Sequence, residues 1–181
     1  LFQFFLIAKI KNLSPVLPAN LFEKILNFFN NIQDGEGGWT IRGGPDSFGN
    51  PDQALSDIYI IFAMSQTNSN ITAQFKSQLE KVNSMYSDLL TKKKIFSSYK
   101  LALIGLLKFN LGQTDELDKL IEILLANQDQ KTGEIKNGEL SIVRSTGNSL
   151  AVETSALTLL LLVRYNPNKY SQNIELLIKY L

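Results

Sequence analysis

The chain of 181 residues contains no cysteine and no histidine. Without these side chains it can form no disulfide, thiol nucleophile or His-based catalytic triad, and it lacks the usual ligands of zinc and iron. A dominant charge is also missing, since 18 Lys and Arg against 17 Asp and Glu leave a net charge of +1. This balance gives no electrostatic reason to expect nucleic acid or an anionic membrane surface as a partner.

Long hydrophobic runs are missing as well. The run from Leu159 to Val163 is far too short to span a bilayer, which takes about 20 residues. The opening segment, "LFQFFLIAKIK", has no basic residue before it and no small-residue cleavage site after it. We therefore interpret it as a helix cut at its start rather than as a leader peptide.

Apolar residues recur at helical spacing along the whole chain, and "ELSIVRS" is the one short strand candidate. Two helix classes alternate. Amphipathic helices are predicted to begin near Asn20, Ile71, Thr114 and Tyr170. Helices that are apolar nearly all round are predicted to begin near Gln53, Tyr99 and Leu150. Asn20 with Glu23 forms a capping-box pattern, and Thr114 is a second candidate cap.

A helix that is apolar on all sides must be surrounded, whereas one with a single apolar stripe lies outside. The alternation repeats at about 50 residues, the length of a helix pair, which indicates stacked helical hairpins. The predicted fold class is all-α. The predicted architecture is an α/α toroid of helical hairpins, incomplete, with about eight helices, in a single partial domain spanning residues 1–181.

Two loops share a pattern 95 positions apart in the printed sequence: Gln33-Asp34 recurs as Gln128-Asp129, and Gly38 aligns with Gly133. The first loop, "QDGEGGW", has the glycines of a phosphate cradle, but they follow a helix instead of preceding one. Its acids also lack the alternating spacing of a calcium loop. We therefore predict that the glycines end a helix and that Trp39 packs as a wedge between neighbouring hairpins.

Two carboxylates remain as candidates for chemistry. Asp57 and Glu153 lie 96 positions apart, each early in an all-round apolar helix. In a toroid such helix ends gather at one mouth, where two acids could serve as the acid and base of an inverting glycosidase. The simpler interpretation, which we favour, is that the helix dipole stabilises both acids and that Glu153 bonds N–H groups of the preceding loop.

The order of several segments resembles a known family. Asp46-Ser47-Phe48-Gly49 precedes the helix that carries Asp57 and Tyr59, and "TGNSLAVETSAL" follows at Thr146–Leu157. Together with the loop "QDGEGGWT", these segments resemble the thioester-containing domain of the alpha-2-macroglobulin family. The resemblance covers essentially the whole chain, and its specificity comes from order and spacing.

The resemblance implies an α/α toroid inside a large protein, secreted or associated with the cell envelope, that traps proteases through a conformational switch. Phe48, Gly49, Glu153 and Thr154 match the family as fold-defining residues. The family's thioester motif has no counterpart here, so the resemblance assigns no catalytic, cofactor-binding or metal-binding residue and implies that the chain is not an enzyme. The implied partners are proteases and other domains of the same protein, with no nucleic acid and with any membrane tether outside this segment.

Two alternatives stay open. One is a toroid enzyme, carbohydrate-active or terpene-cyclase-like, that uses Asp57 and Glu153 as a carboxylate pair. "QDGEGGW" is similar to the Gln/Trp motif of terpene cyclases, but the Asp-x-Asp-Asp proton donor of those enzymes is missing. The other alternative is a structural helical repeat that docks a protein partner.

Overall fold

The computed structural model describes residues 20–40, 52–66, 71–92, 97–136 and 138–181. Within these ranges the chain forms helices and no strand, so the all-α prediction is confirmed. The eight helices there are α1 Leu21–Asn31, α2 Gln53–Ser65, α3 Ile71–Gln74, α4 Lys76–Lys92, α5 Ser98–Asn110, α6 Leu117–Leu125, α7 Gly147–Tyr165 and α8 Ser171–Tyr180. The strand candidate "ELSIVRS" is irregular, with a turn at Ile142 and Val143, so that expectation is wrong.

Two predicted features lie outside the described residues. These are the opening helix over "LFQFFLIAKIK" and the segment Asp46-Ser47-Phe48-Gly49. The segment Thr146–Leu157, which also supports the resemblance, is described and forms the start of α7.

Local signals account for some helix ends and fail at others. Ser97 caps α5 by accepting the Lys100 N–H, and Gly112 follows the helix with a φ of 71°. Two predicted caps are wrong. The side chain of Asn20 makes no capping hydrogen bond to α1, and α6 begins at Leu117 behind Glu116 rather than behind Thr114.

The inner helices α2, α5 and α7 pack side by side in chain order, with α5 in the middle. Each has its own outer helix: α4 packs on α2, α6 on α5 and α8 on α7. The approach of α5 to α7 is close at Gly105, where a Cβ would lie 2.6 Å from a methyl group of Leu161. The alternation of inner and outer helices is therefore confirmed, whereas closure of the hairpins into a toroid stays a prediction.

The inner helices differ in how fully they are covered. All residues of α5 from Ser98 to Leu107 are buried except Lys100, as expected for a surrounded helix. Helix α7 has a similar apolar composition, yet Val152, Leu160 and Val163 are between 44% and 48% exposed. The expectation that every all-round apolar helix is surrounded is therefore wrong for α7 within the described part of the chain.

Candidate functional site

The first anchored loop, residues 32–40, connects the end of α1 to the segment before α2. Its two sides are joined by a bridge between Gln33 and Trp39. The Asp34 carboxylate folds over the turn and accepts the backbone N–H groups of Glu36 at 2.7 Å and Gly38 at 2.9 Å. This loop is therefore built around an aspartate that satisfies its own backbone donors.

Trp39 is fully buried at the end of this loop. Its indole N–H donates to the carbonyl oxygen of Phe29 in α1 at 3.0 Å, and its ring packs edge-on against the Phe29 ring. On the other side the ring centroid lies 5.8 Å from that of Phe75, between α3 and α4. The prediction that Trp39 is a wedge between neighbouring hairpins is confirmed.

Asp57 anchors the same loop from α2, and its side chain is only 1% exposed. One carboxylate oxygen accepts the Trp39 backbone N–H at 3.2 Å and the Gln53 amide at 2.9 Å. The other oxygen forms an ion pair with Lys81 of α4 at 2.9 Å. One buried carboxylate thus ties the loop to an inner and an outer helix.

The charges around this anchor are close together. A Cβ at Gly38 would lie within 2.6 to 2.8 Å of carboxylate oxygens of Asp57 and Asp34 and of the Lys81 ammonium nitrogen. Desolvation raises the pKa of Asp34, but hydrogen bonds from Glu36 and Gly38 and the charge of Lys81 outweigh it, so the pKa is lowered. The ammonium therefore serves as counter-ion to the two carboxylates.

The second anchored loop, residues 126–136, follows α6 and repeats this design. A bridge joins Gln128 to Ile135, and the Asp129 carboxylate accepts the backbone N–H groups of Lys131 at 2.9 Å and Thr132 at 3.0 Å. The repeat that the two Gln-Asp pairs predict is therefore present in the structure.

The anchor of the second loop is a hydroxyl group. The Ile135 N–H donates to the buried Ser155 Oγ at 3.0 Å, as the Trp39 N–H donates to Asp57 in the first loop. Ser155, not Glu153, is thus the structural counterpart of Asp57. Residues two apart on a helix differ by about 200° in direction, so Glu153 lies on the other side of α7.

The two loops also share a glycine that the sequence alignment misplaced. Gly37 has a φ of 80° and Gly133 a φ of 85°. A Cβ at Gly37 would lie 2.9 Å from the Ser77 carbonyl oxygen, and one at Gly133 would lie 2.0 Å from that of Leu176. Gly133 therefore matches Gly37 rather than Gly38, because the second loop has one more residue than the first.

Glu153 has a different role from Asp57. It is half-buried and accepts a hydrogen bond from the Ser145 hydroxyl, rather than from loop N–H groups as predicted. Burial, with a smaller effect of the Glu153 charge, raises the pKa of the Tyr99 hydroxyl. None of the hydrogen bonds and ion pairs of the described residues gives Asp57 and Glu153 a shared partner.

Thr154, matched by the resemblance as a fold-defining residue, is buried in α7 and donates its hydroxyl to the Leu150 carbonyl at 2.7 Å. Sequence reasoning missed Lys81, Gln53 and Ser155. The sequence signal for Ser155 was the apolar residue at the end of each loop, Trp39 in the first and Ile135 in the second. The structure shows that these two residues close their loops with the same bridge.

Within the described ranges no cluster of three or more acidic, His or Cys side chains is placed to hold a metal ion, and no helix is long and apolar enough to cross a membrane. Two structural loops, each anchored to an inner helix, are thus the best-defined candidate site. Comparison of the chain with protein-family models, with curated proteins and with solved structures finds no match.

Proposed function

We propose that the chain is a non-catalytic helical-hairpin module of a macroglobulin-like protease trap. In this proposal the module belongs to a secreted or cell-envelope protein. It binds other domains of that protein and transmits the conformational change that follows cleavage by a target endopeptidase.

The observation that carries the proposal is the structural environment of Asp57. This carboxylate is the strongest chemical candidate in the sequence, yet it is buried and its oxygens accept hydrogen bonds from Trp39, Gln53 and Lys81. A general acid or base must reach a substrate proton, whereas Asp57 reaches the loop and α4. Its environment supports a structural role, as expected of a binding and switching module.

The hairpin arrangement is a second support. Inner helices in contact along the chain, each with its own outer helix, match the arrangement expected of neighbouring hairpins in the toroid that the resemblance implies. The segment Thr146–Leu157 begins an inner helix, and within it Thr154, matched as fold-defining, is buried.

The test of the proposal uses the full-length protein that contains this chain. It is mixed with a panel of active endopeptidases and, as the control, with the same enzymes blocked at their catalytic residues. We expect an active endopeptidase to co-elute with the protein in gel filtration and to lose activity on a large protein substrate. Blocked enzymes should elute alone, because they cannot cleave the trap. Equal binding of active and blocked enzymes, or no binding by any of them, contradicts the proposal.

The enzyme alternative has a separate test. The chain is assayed on soluble polysaccharides beside its Glu153→Gln variant, with Glu175→Gln of α8 as the matched control on an exposed acid. Trapping predicts no hydrolysis above background for any of the three. Hydrolysis that Glu153→Gln abolishes and Glu175→Gln retains would establish the enzyme instead.

A further inference from the structure

One face of α7 carries an exposed apolar row, which we call the α7 stripe: Val152, Ala156, Leu160 and Val163. The spacings of four, four and three residues place these side chains on one side of the helix over three turns. Single exposed apolar residues are common, but a continuous row indicates a contact surface.

The opposite face of α7 is already occupied. Leu161 and Leu162 are fully buried there, and Leu161 packs against Gly105 of α5. Helix α5 has inner helices on two sides, α2 and α7, whereas α7 packs mainly against α5 and α8. The α7 stripe is therefore a helix-packing surface that no described element covers.

The charges of α7 indicate what covers it. This helix, which the structure describes in full, has only two charged residues, Glu153 and Arg164. They are eleven residues apart, about three turns, and so lie on the same edge of the stripe at opposite ends.

A second α7 packed antiparallel across a two-fold axis near Thr158 places each Glu153 opposite the Arg164 of the other copy. The same axis places the small side chain of Ala156 opposite Leu160, which allows the helices to approach closely. A parallel arrangement would instead place the two Glu153 side chains at one end and the two Arg164 side chains at the other, so no Glu153–Arg164 pair could form across the contact. Charge and shape thus both favour the antiparallel pair.

Both charges are held in position within one chain. Ser145 donates its hydroxyl to Glu153, and Arg164 donates to the Asn110 side chain at 2.9 Å while its guanidinium carbon lies 5.0 Å from the centroid of the Phe109 ring. A guanidinium has five N–H donors, so Arg164 can bond Asn110 and a carboxylate together. Side chains ordered in advance lose less entropy on association.

We propose that the α7 stripe binds the α7 stripe of a second copy of this chain, antiparallel, with a Glu153–Arg164 ion pair at each end. This contact goes beyond the proposed protease trapping and does not depend on it. Helix α7 has 19 residues and is about 28 Å long, so the contact is smaller than a standard stable interface. We therefore expect a dissociation constant in the micromolar range.

Sedimentation velocity of the full chain from about 1 to 500 µM, a range that brackets micromolar affinity, tests the contact. The expected result is a monomer–dimer equilibrium that Leu160→Glu weakens at least about tenfold, because it buries a charge in the stripe. Ile178→Glu is the matched control: Ile178 of α8 is 61% exposed and lies outside the stripe, so its variant should dimerise normally.

Charge reversal tests the Glu153–Arg164 ion pair more specifically. Glu153→Arg and Arg164→Glu should each dimerise at least about tenfold more weakly alone, since like charges then meet at both ends. Mixed together they should form a heterodimer, because opposite charges face each other again. If the chain is a monomer at all concentrations, the proposal is wrong. This includes a monomer in which another segment covers the α7 stripe. A dimer that Leu160→Glu leaves intact, or a mixture of the two variants that stays monomeric, also overturns the proposal.

Discussion

The two anchored loops share a backbone design but not the chemistry of their anchors. In both, an aspartate accepts the N–H groups of the turn, a bridge joins the two sides, and a glycine with positive φ meets the next outer helix. Asp57 with Lys81 holds the first loop, and the neutral hydroxyl of Ser155 holds the second. The shared requirement is an acceptor for one buried N–H group, which either a carboxylate or a hydroxyl satisfies.

This difference explains why an acid early in an inner helix is a weak sign of catalysis here. A buried carboxylate needs a counter-ion, and Lys81 supplies one from α4. A hydroxyl needs none, so the second loop dispenses with that cross-helix ion pair. Asp57 therefore adds a link between α2 and its outer helix α4, and its removal should matter more than removal of Ser155.

The largest expected effect is that of Asp57→Ala. It leaves the ammonium of Lys81 and the N–H of Trp39 without their acceptor, so we expect the free energy of unfolding to fall by about 3 kcal/mol. Ser155→Ala removes one neutral acceptor and should cost about 1 kcal/mol. Urea denaturation measures both values, and equal losses would contradict the distinction between the two anchors.

Replacing the carboxylate anchor of the first loop by the hydroxyl anchor of the second tests this comparison more closely. Asp57→Ser alone supplies a hydroxyl but removes the direct ion pair of Lys81. Asp57→Ser combined with Lys81→Met removes that charge too, and should be more stable than the single variant by about 1 kcal/mol. If the single variant is the more stable one, Lys81 is not tied to the anchor as the structure indicates.

The next effect concerns the glycines that meet the outer helices. Gly133→Ala adds a Cβ 2.0 Å from a carbonyl oxygen at positive φ, and we expect a loss of about 3 kcal/mol. Gly37→Ala, at 2.9 Å, should cost about 2 kcal/mol. Gly112→Ala is the matched control, because Gly112 has a positive φ with no atom within 4 Å of its Cβ position, and it should cost about 1 kcal/mol. Thermal unfolding ranks the stabilities of the three variants. Equal losses of stability would mean that the positive φ alone, and not the contact with the outer helix, causes the destabilisation.

Much of the fold could be predicted from the sequence because the signals were local. Helical spacing indicated the alternation of inner and outer helices, and the residues at the two ends of α5, a capping serine and a glycine with positive φ, are of the types that end helices. The two Gln-Asp pairs also predicted the repeated loops. What failed locally was capping: Asn20 and Thr114 have the right chemistry, but neither is used as a cap.

The parts that could not be predicted depend on distant residues. Lys81 pairs with Asp57 across 24 positions, and no local pattern indicates that partner. One extra residue in the second loop shifted the glycine alignment and concealed Ser155. Helix α7 is as apolar as an enclosed helix, and its exposure depends on which elements surround it rather than on its own residues.

The smallest expected effect compares the loop aspartates as pH falls. The pKa of Asp34 is lowered in the folded protein, so its contribution is full above its unfolded pKa near 3.8 and disappears as pH falls through the lower folded value. Asp34→Asn should therefore be less stable than the parent chain at pH 7 by about 0.5 kcal/mol, a small value because the side chain is exposed. The difference should shrink as pH falls below 3.8 and the folded-state carboxyl group takes up its proton.

Asp129→Asn should change in the same direction, since the ion pair with Lys136 and the N–H groups of Thr132 and Lys131 lower the pKa of Asp129. Urea denaturation at pH 7, 4.5, 3 and 2 follows both differences. For Asp34 the charge of Lys81 acts without a direct ion pair, whereas Asp129 contacts Lys136 at 2.7 Å. Removing Lys136 should therefore reduce the pH dependence at Asp129 and leave that at Asp34 unchanged. If the stability difference between the parent chain and either Asn variant grew as pH fell, the turns would favour the neutral carboxyl group. That result would contradict the structure, in which N–H donors surround each carboxylate.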